Sequence, residues 1–164
     1  MEPTGNKVTR IFDALSVFAI GIAGAAIIGM AAVEAWQVFA RYVLDDAPSW
    51  TEPVALLLMS TAMMFGAAAG VRSNRHFGFF ILVESVRPGV RRMMQLLARL
   101  VAVAVGLMLA AWGASMTVDA WGYSMAGAPL PQGLVFLPLC LGGALITAFA
   151  LEWILRPERD VAAH

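Results

Sequence analysis

Residues 14–33 read ALSVFAIGIAGAAIIGMAAV, twenty consecutive positions without a charged side chain. A helix rises 1.5 Å per residue, so about 20 mostly apolar residues cross roughly 30 Å of hydrocarbon. Three further stretches qualify: residues 53–71, 100–118 and 134–151. Composition agrees. Of the 164 residues, 60% are hydrophobic and only 13% charged, and the mean hydropathy is +0.78. Soluble domains are nearer half apolar and a quarter charged. A globule of this length could not hide so much apolar surface from water, whereas a bilayer accepts it as solvent. The expected fold is an all-α integral membrane protein, one domain over residues 1–164, with four transmembrane helices at 12–43, 51–72, 92–122 and 132–155.

Helices 1 and 3 are longer than a membrane requires. A helix from Ile11 to Leu44 would be about 50 Å long and must tilt or project past the hydrocarbon. Phe77 to Val83 is apolar but too short to span, and reads as an interfacial or re-entrant segment between helices 2 and 3. Lys7 and Arg10 precede the first apolar run as they would in a signal peptide. That run exceeds the usual 7–15 residues of a cleaved segment, so it is read as a retained span.

Orientation follows from Lys and Arg in the short loops. Lys7, Arg10, Arg72, Arg75, Arg87, Arg91, Arg92, Arg99, Arg156 and Arg159 share one side, and only Arg41 lies on the other, with Asp45, Asp46, Glu52 and Asp119. The basic side is therefore expected in the cytoplasm, with both termini. Tyr42, Trp50, Trp121 and Tyr123 fall at the outer ends of spans, where amphipathic rings favour the headgroup level, and Trp153 marks the inner level. The formal net charge is zero, and no nucleic-acid partner is expected. The single cysteine, Cys140, excludes an internal disulfide and a cysteine zinc site, and reads as a small buried hydrophobe.

Small residues recur every four positions in the spans: Gly21, Ala25 and Gly29; Gly66 and Gly70; Gly106, Ala110 and Ala114; helix 4 carries Gly142 and Gly143. Such spacing lets membrane helices approach closely. Helix 1 carries a second stripe, Glu34, Gln37 and Arg41, three and four residues apart and so on one face. This face points away from the Gly21, Ala25 and Gly29 face, which suggests two packing partners, the subunit's own bundle and a separate protein. Solvation of Glu34 and Arg41 in the headgroup zone is the alternative.

Marks of enzymes and redox carriers are missing. The histidines are His76 and His164, so paired haem ligands are not available. No metal-binding histidine pair, nucleophile elbow or P-loop is present. The middles of the spans hold no charged residue for an ion relay, and only Pro138 interrupts a helix interior. The expectation is a non-enzymatic membrane component without a cofactor.

Residues 36–80, WQVFARYVLDDAPSWTEPVALLLMSTAMMFGAAAGVRSNRHFGFF, resemble the small membrane subunit of tripartite ATP-independent periplasmic (TRAP) transporters. The shared features are Arg41-Tyr42, the acidic turn Asp45-Asp46, Trp50 with Glu52, the stretch from Gly66 to Gly70, and then Arg72 and His76. Pro129 and Pro131 before helix 4 also fit. Pro53 stands where such proteins commonly have a second acidic residue, so an acidic pair has no support here. At the start of helix 2, Ser49 with Glu52 has capping-box form, but a Thr51 cap with Pro53 in the first turn suits the proline better.

The resemblance implies a scaffold in the bacterial inner membrane. Its partners would be a large multispan, sodium-coupled permease subunit, a periplasmic substrate-binding protein and membrane lipids. The cargo would be an organic acid such as a dicarboxylate. Candidate subunit-contact or structural residues are Glu34, Gln37, Arg41, Trp50, Glu52, Arg72 and His76. Arg41 is expected to pair with Glu34, Asp45 or Glu52, or else with a headgroup phosphate, since a guanidinium binds either anion bidentately. Trp50 reads as an interfacial anchor. Arg72 and His76 are open to lipid headgroups, a partner's cytoplasmic loop, or plain positive-inside charge. Arg87, Arg91 and Arg92 would each attract anionic lipid by about 1 kcal/mol. Two other readings stand beside the scaffold: a self-contained small multidrug-type transporter using Glu34, and a membrane anchor of a respiratory complex.

Overall fold

A computed structural model describes residues 5–46, 48–72 and 88–155. Four helices account for most of them: α1 (Gly5–Val43), α2 (Thr51–Arg72), α3 (Pro88–Asp119) and α4 (Leu137–Leu155), the last entered through a 3-10 turn at Gln132–Phe136. Each belongs to a stretch long and apolar enough to cross a membrane. The chain is thus an all-α, multi-pass membrane protein. The segment from Phe77 to Val83 and His76 lie outside the described residues.

The helices do not close into a square bundle. α1 packs on α2, α2 on α4, and α4 on α3, so they stand in a row with the order α1–α2–α4–α3. The two long helices, of 39 and 32 residues, are the edges, and the two shorter ones, of 22 and 19, the middle. Asp13 near the start of α1 and Glu152 near the end of α4 both reach Arg72 at the end of α2. The start of α1 and the end of α4 are therefore at one end of the row.

Packing is inverted relative to a soluble core. Most of the buried apolar positions are alanine, among them Ala19, Ala23, Ala26, Ala68 and Ala69, joined by Phe65, Ile146 and Phe149, whereas Val17, Ile28, Met63, Trp112 and Val118 are exposed. Lipid tails are as apolar as leucine, so helix association relies on close backbone approach and dispersion. α3 meets α4 through facing glycines: a β-carbon at Gly113 would lie 2.6 Å from the Cys140 amide nitrogen, and one at Gly143 would lie 2.6 Å from that of Ala110. Gly142 seats against Met64 of α2. On α1 the bundle-facing stripe is Ala19, Ala23 and Ala26, not the glycine stripe. Gly29 touches Leu58, but Gly21 and Gly24 face open space and Ala25 is exposed.

Loop contacts tie the other end. Asp45 takes a left-handed φ of 54° while the Asp46 amide returns to the Ala40 carbonyl, stopping α1. Gly127, at φ 84°, lies so close to the Ser49 carbonyl that a β-carbon would not fit, and the Ser49 hydroxyl donates to the Gly127 carbonyl. Neither expected cap of α2 forms. Ser49 is spent on the far loop, and the Thr51 hydroxyl donates backwards to the Pro48 carbonyl at 2.8 Å. Pro53 does lie in the first turn, where its missing N–H costs little.

Contacts also set the helices' relative heights. Gly29 meets Leu58, so Trp36 is level with Thr51, and residues 37–43 of α1 overhang α2 by about 10 Å. Arg99 meets Trp153, so the first turns of α3 overhang α4 by about 13 Å at the opposite end.

The glycine contacts make a sharp contrast testable. Gly113→Ala or Gly143→Ala should destabilise the detergent-solubilised chain by about 1–3 kcal/mol, the usual cost of overpacking. Gly21→Ala and Gly24→Ala should leave its unfolding by added denaturing detergent unchanged.

Candidate functional site: an ionic knot joining four helices

Arg72 ends α2 with its side chain 6% exposed. A guanidinium keeps its charge at any accessible pH, so burial at a membrane boundary demands anions. Its Nη1 donates to Glu152 Oε2 at 2.6 Å and its Nη2 to Asp13 Oδ1 at 2.5 Å. Glu152 is as buried as the arginine, whereas Asp13 is 59% exposed. Arg72 Nε has no partner among the described residues. The position suits the charge, because the carboxyl end of a helix favours a cation.

Aromatic side chains complete the site. The Arg72 guanidinium lies 6.0 Å from the centroid of the Phe12 ring, and Phe12 meets Phe149 edge to face at 6.0 Å. The Trp153 indole N–H donates to the Arg72 carbonyl at 3.3 Å, satisfying one of the carbonyls a helix end leaves free. Arg99 lies over the Trp153 ring at 5.5 Å, and its Nη1 donates to the Trp153 carbonyl at 3.2 Å. Phe12 and Asp13 come from α1, Arg72 from α2, Arg99 from α3, and Phe149, Glu152 and Trp153 from α4. The arrangement fastens helices. Among the described residues no group of three acidic, histidine or cysteine side chains could hold a metal ion.

The other candidate residues sit elsewhere. Glu34 and Arg41 are exposed and Gln37 is half-buried, on the side of α1 that carries Ala23 and Met30, near or beyond the start of α2. Arg41 forms no ion pair with Glu34, Asp45 or Glu52; the ion pairs among the described residues are those of Arg72. Trp50 is 41% exposed and Glu52 is exposed at the start of α2. Arg72 is therefore separated from them by the length of α2 and turned into its own chain, with both Nη groups engaged there rather than on headgroups.

Asp13, Glu152 and the lock by Trp153 were not singled out from the sequence. The available signal was a single acidic residue at the tip of each of two apolar runs, a place where a carboxylate is costly unless an arginine meets it.

A family model, described as the DctQ component of tripartite ATP-independent periplasmic transporters, matches residues 30–160. The chain belongs to this family. The match covers about four-fifths of the sequence, including Arg72 and Glu152 but not Asp13. No curated protein matches the chain. As a DctQ component it is the small permease subunit of a TRAP transporter, and the family is one of transporter components, not of enzymes.

Breaking the knot should be expensive. Arg72→Ala leaves Glu152 buried without its cation, so stability should fall by about 3–5 kcal/mol. Asp13→Asn should cost less than about 1 kcal/mol, because its side chain is largely solvated. Arg72→Lys should recover only part of the loss, since one ammonium replaces a fork that serves two carboxylates. Unfolding curves in mixed micelles, followed by tryptophan fluorescence, rank the three.

Proposed function

We propose that this DctQ component braces a large, sodium-coupled permease subunit in the bacterial inner membrane. A periplasmic binding protein would deliver the organic acid that the large subunit carries. The observation that carries this reading is the open row tied at both ends, by the Arg72 knot and by the Ser49–Gly127 contact. The row leaves large apolar side chains exposed, including Met59 and Met63 on α2 and Leu107, Met108 and Trp112 on α3. Such a plate resists bending and offers wide contact to a neighbour of equal hydrophobicity. The charges that lie deepest at its terminal end are consumed in holding helices together.

The basic residues support placing the terminal end in the cytoplasm, which turns the Ser49–Gly127 end toward the periplasm. Sodium coupling, carboxylate cargo and the inner membrane are what membership in this family leads one to expect.

Reconstitution tests the reading. Proteoliposomes holding the large subunit and this chain, supplied with binding protein and an inward sodium gradient, should accumulate a labelled organic acid. Those lacking this chain should lose most of that uptake, and this chain alone should transport nothing. Uptake by this chain alone, abolished by Glu34→Gln, would replace the brace with a self-contained transporter.

A further inference from the structure

We propose that the stripe Glu34–Gln37–Arg41 recognises the large subunit with a defined charge polarity. This inference rests on the partnership proposed above. In the assembled transporter a membrane helix of that subunit sets a cation or N–H donor opposite Glu34 and, about 10 Å nearer water, a carboxylate opposite Arg41.

Three observations lead there. First, residues 37–43 overhang α2, so among the described residues no helix flanks Glu34 and Arg41 above α2, although the loop after α1 returns to Ala40 and buries it. The stripe is not on the lipid-facing back of α1 but continues the line of Ala23 and Met30 that α2 covers lower down. A helix laid beside α1 above α2 would extend packing the chain has already begun. Second, Glu34 belongs to the apolar span Thr9–Val43 and is level with the first turn of α2. A carboxylate at that depth is costly unless paired, yet neither Glu34 nor Arg41 forms an ion pair among the described residues. They do not satisfy each other either: seven residues separate them, whereas helix neighbours pair at three or four. Third, Ile27 and Val38 fall on the same side and are 53% and 55% exposed. The charges are thus set in an apolar strip, as at a protein contact, where charge pairs fix register and exclude wrong partners.

The opposite signs give the proposal its test. Phospholipid headgroups carry both charges and would solvate Glu34 and Arg41 in either order, whereas a partner helix would not. The tagged chain is co-expressed with the large subunit and binding protein, extracted in mild detergent, and the large subunit recovered per mole of tag is measured. Arg41→Ala and Glu34→Gln should each lower recovery about tenfold, less than a fully buried pair would lose. The swap Glu34→Arg with Arg41→Glu should lower it further. Asp119→Asn, at the same end on α3, should not change it. A photoreactive residue at Val38 of the otherwise wild-type chain should cross-link to the large subunit, which keeps the test sound if the swap fails to fold. Full recovery with the swap, or lipid adducts alone at position 38, would overturn the inference while leaving the partnership intact. No recovery with the wild-type chain would overturn both.

Discussion

A permanent positive charge at the end of α2 is the constraint around which the other helices are arranged. At 6% side-chain exposure the Arg72 guanidinium is not solvated. It requires carboxylates, and those carboxylates are on α1 and α4. Through the buried Glu152 the guanidinium fixes the height of α4 against α2, while the largely solvated Asp13 ties α1 only weakly. Sliding either by one turn moves its carboxylate about 5.4 Å and breaks the contact. Small-residue packing alone tolerates such slips, because alanine faces are nearly uniform along a helix. The ion pairs specify register, while the alanines and glycines supply closeness.

That division explains why the row stays open. In water, apolar faces would drive the four helices into a closed bundle. In lipid the drive is absent, and contacts persist where backbones approach closely or polar groups meet. The close approaches here are pairwise: Ala23 with Gly66, Gly142 with Met64, Gly143 with Ala110. α1 and α3, each with one main partner helix, become edges. Trp153 draws α3 in at the terminal end through Arg99, and Gly127 locks the loops at the other. The plate is held by its ends and by its narrow seams.

Much of this was legible in the sequence, and the rest was hidden for identifiable reasons. Four uncharged runs announce four spans, and the excess length of helices 1 and 3 announces that they are unlike the others. Arg72 is visible as a charge at a span end. Its direction is not, because an arginine there can reach headgroups, solvent or a neighbour, and only tertiary contacts decide. Asp13 and Glu152 were hidden because a single acidic residue at a helix tip resembles ordinary interfacial charge until an arginine on another helix stands opposite. The glycine stripe of α1 misled for a related reason. Small residues mark where close approach is possible: Gly29 does meet Leu58, whereas Gly21 meets nothing among the described residues. The reverse held for Ser49: local sequence allowed a cap there, but a contact 78 residues away took its hydroxyl.

The overhangs connect this plate to its membrane. α1 projects beyond α2 at the loop end, and α3 beyond α4 at the terminal end, on opposite edges of the row. Three interhelix spacings of 8–10 Å separate those edges by roughly 27 Å. An offset of about 10 Å across that width would be taken up by tilting the row about 20° in its own plane, an ordinary tilt for membrane helices. Tyr42 at the end of α1 and Trp121 just past the end of α3 then come to one depth, as interfacial aromatics should. The same tilt would lower the α1 overhang toward the hydrocarbon, carrying Glu34 and Gln37 with it. A helix that sinks a carboxylate to satisfy the plate's hydrophobic outline needs something beside it to receive that charge, and among the described residues no cation pairs with Glu34.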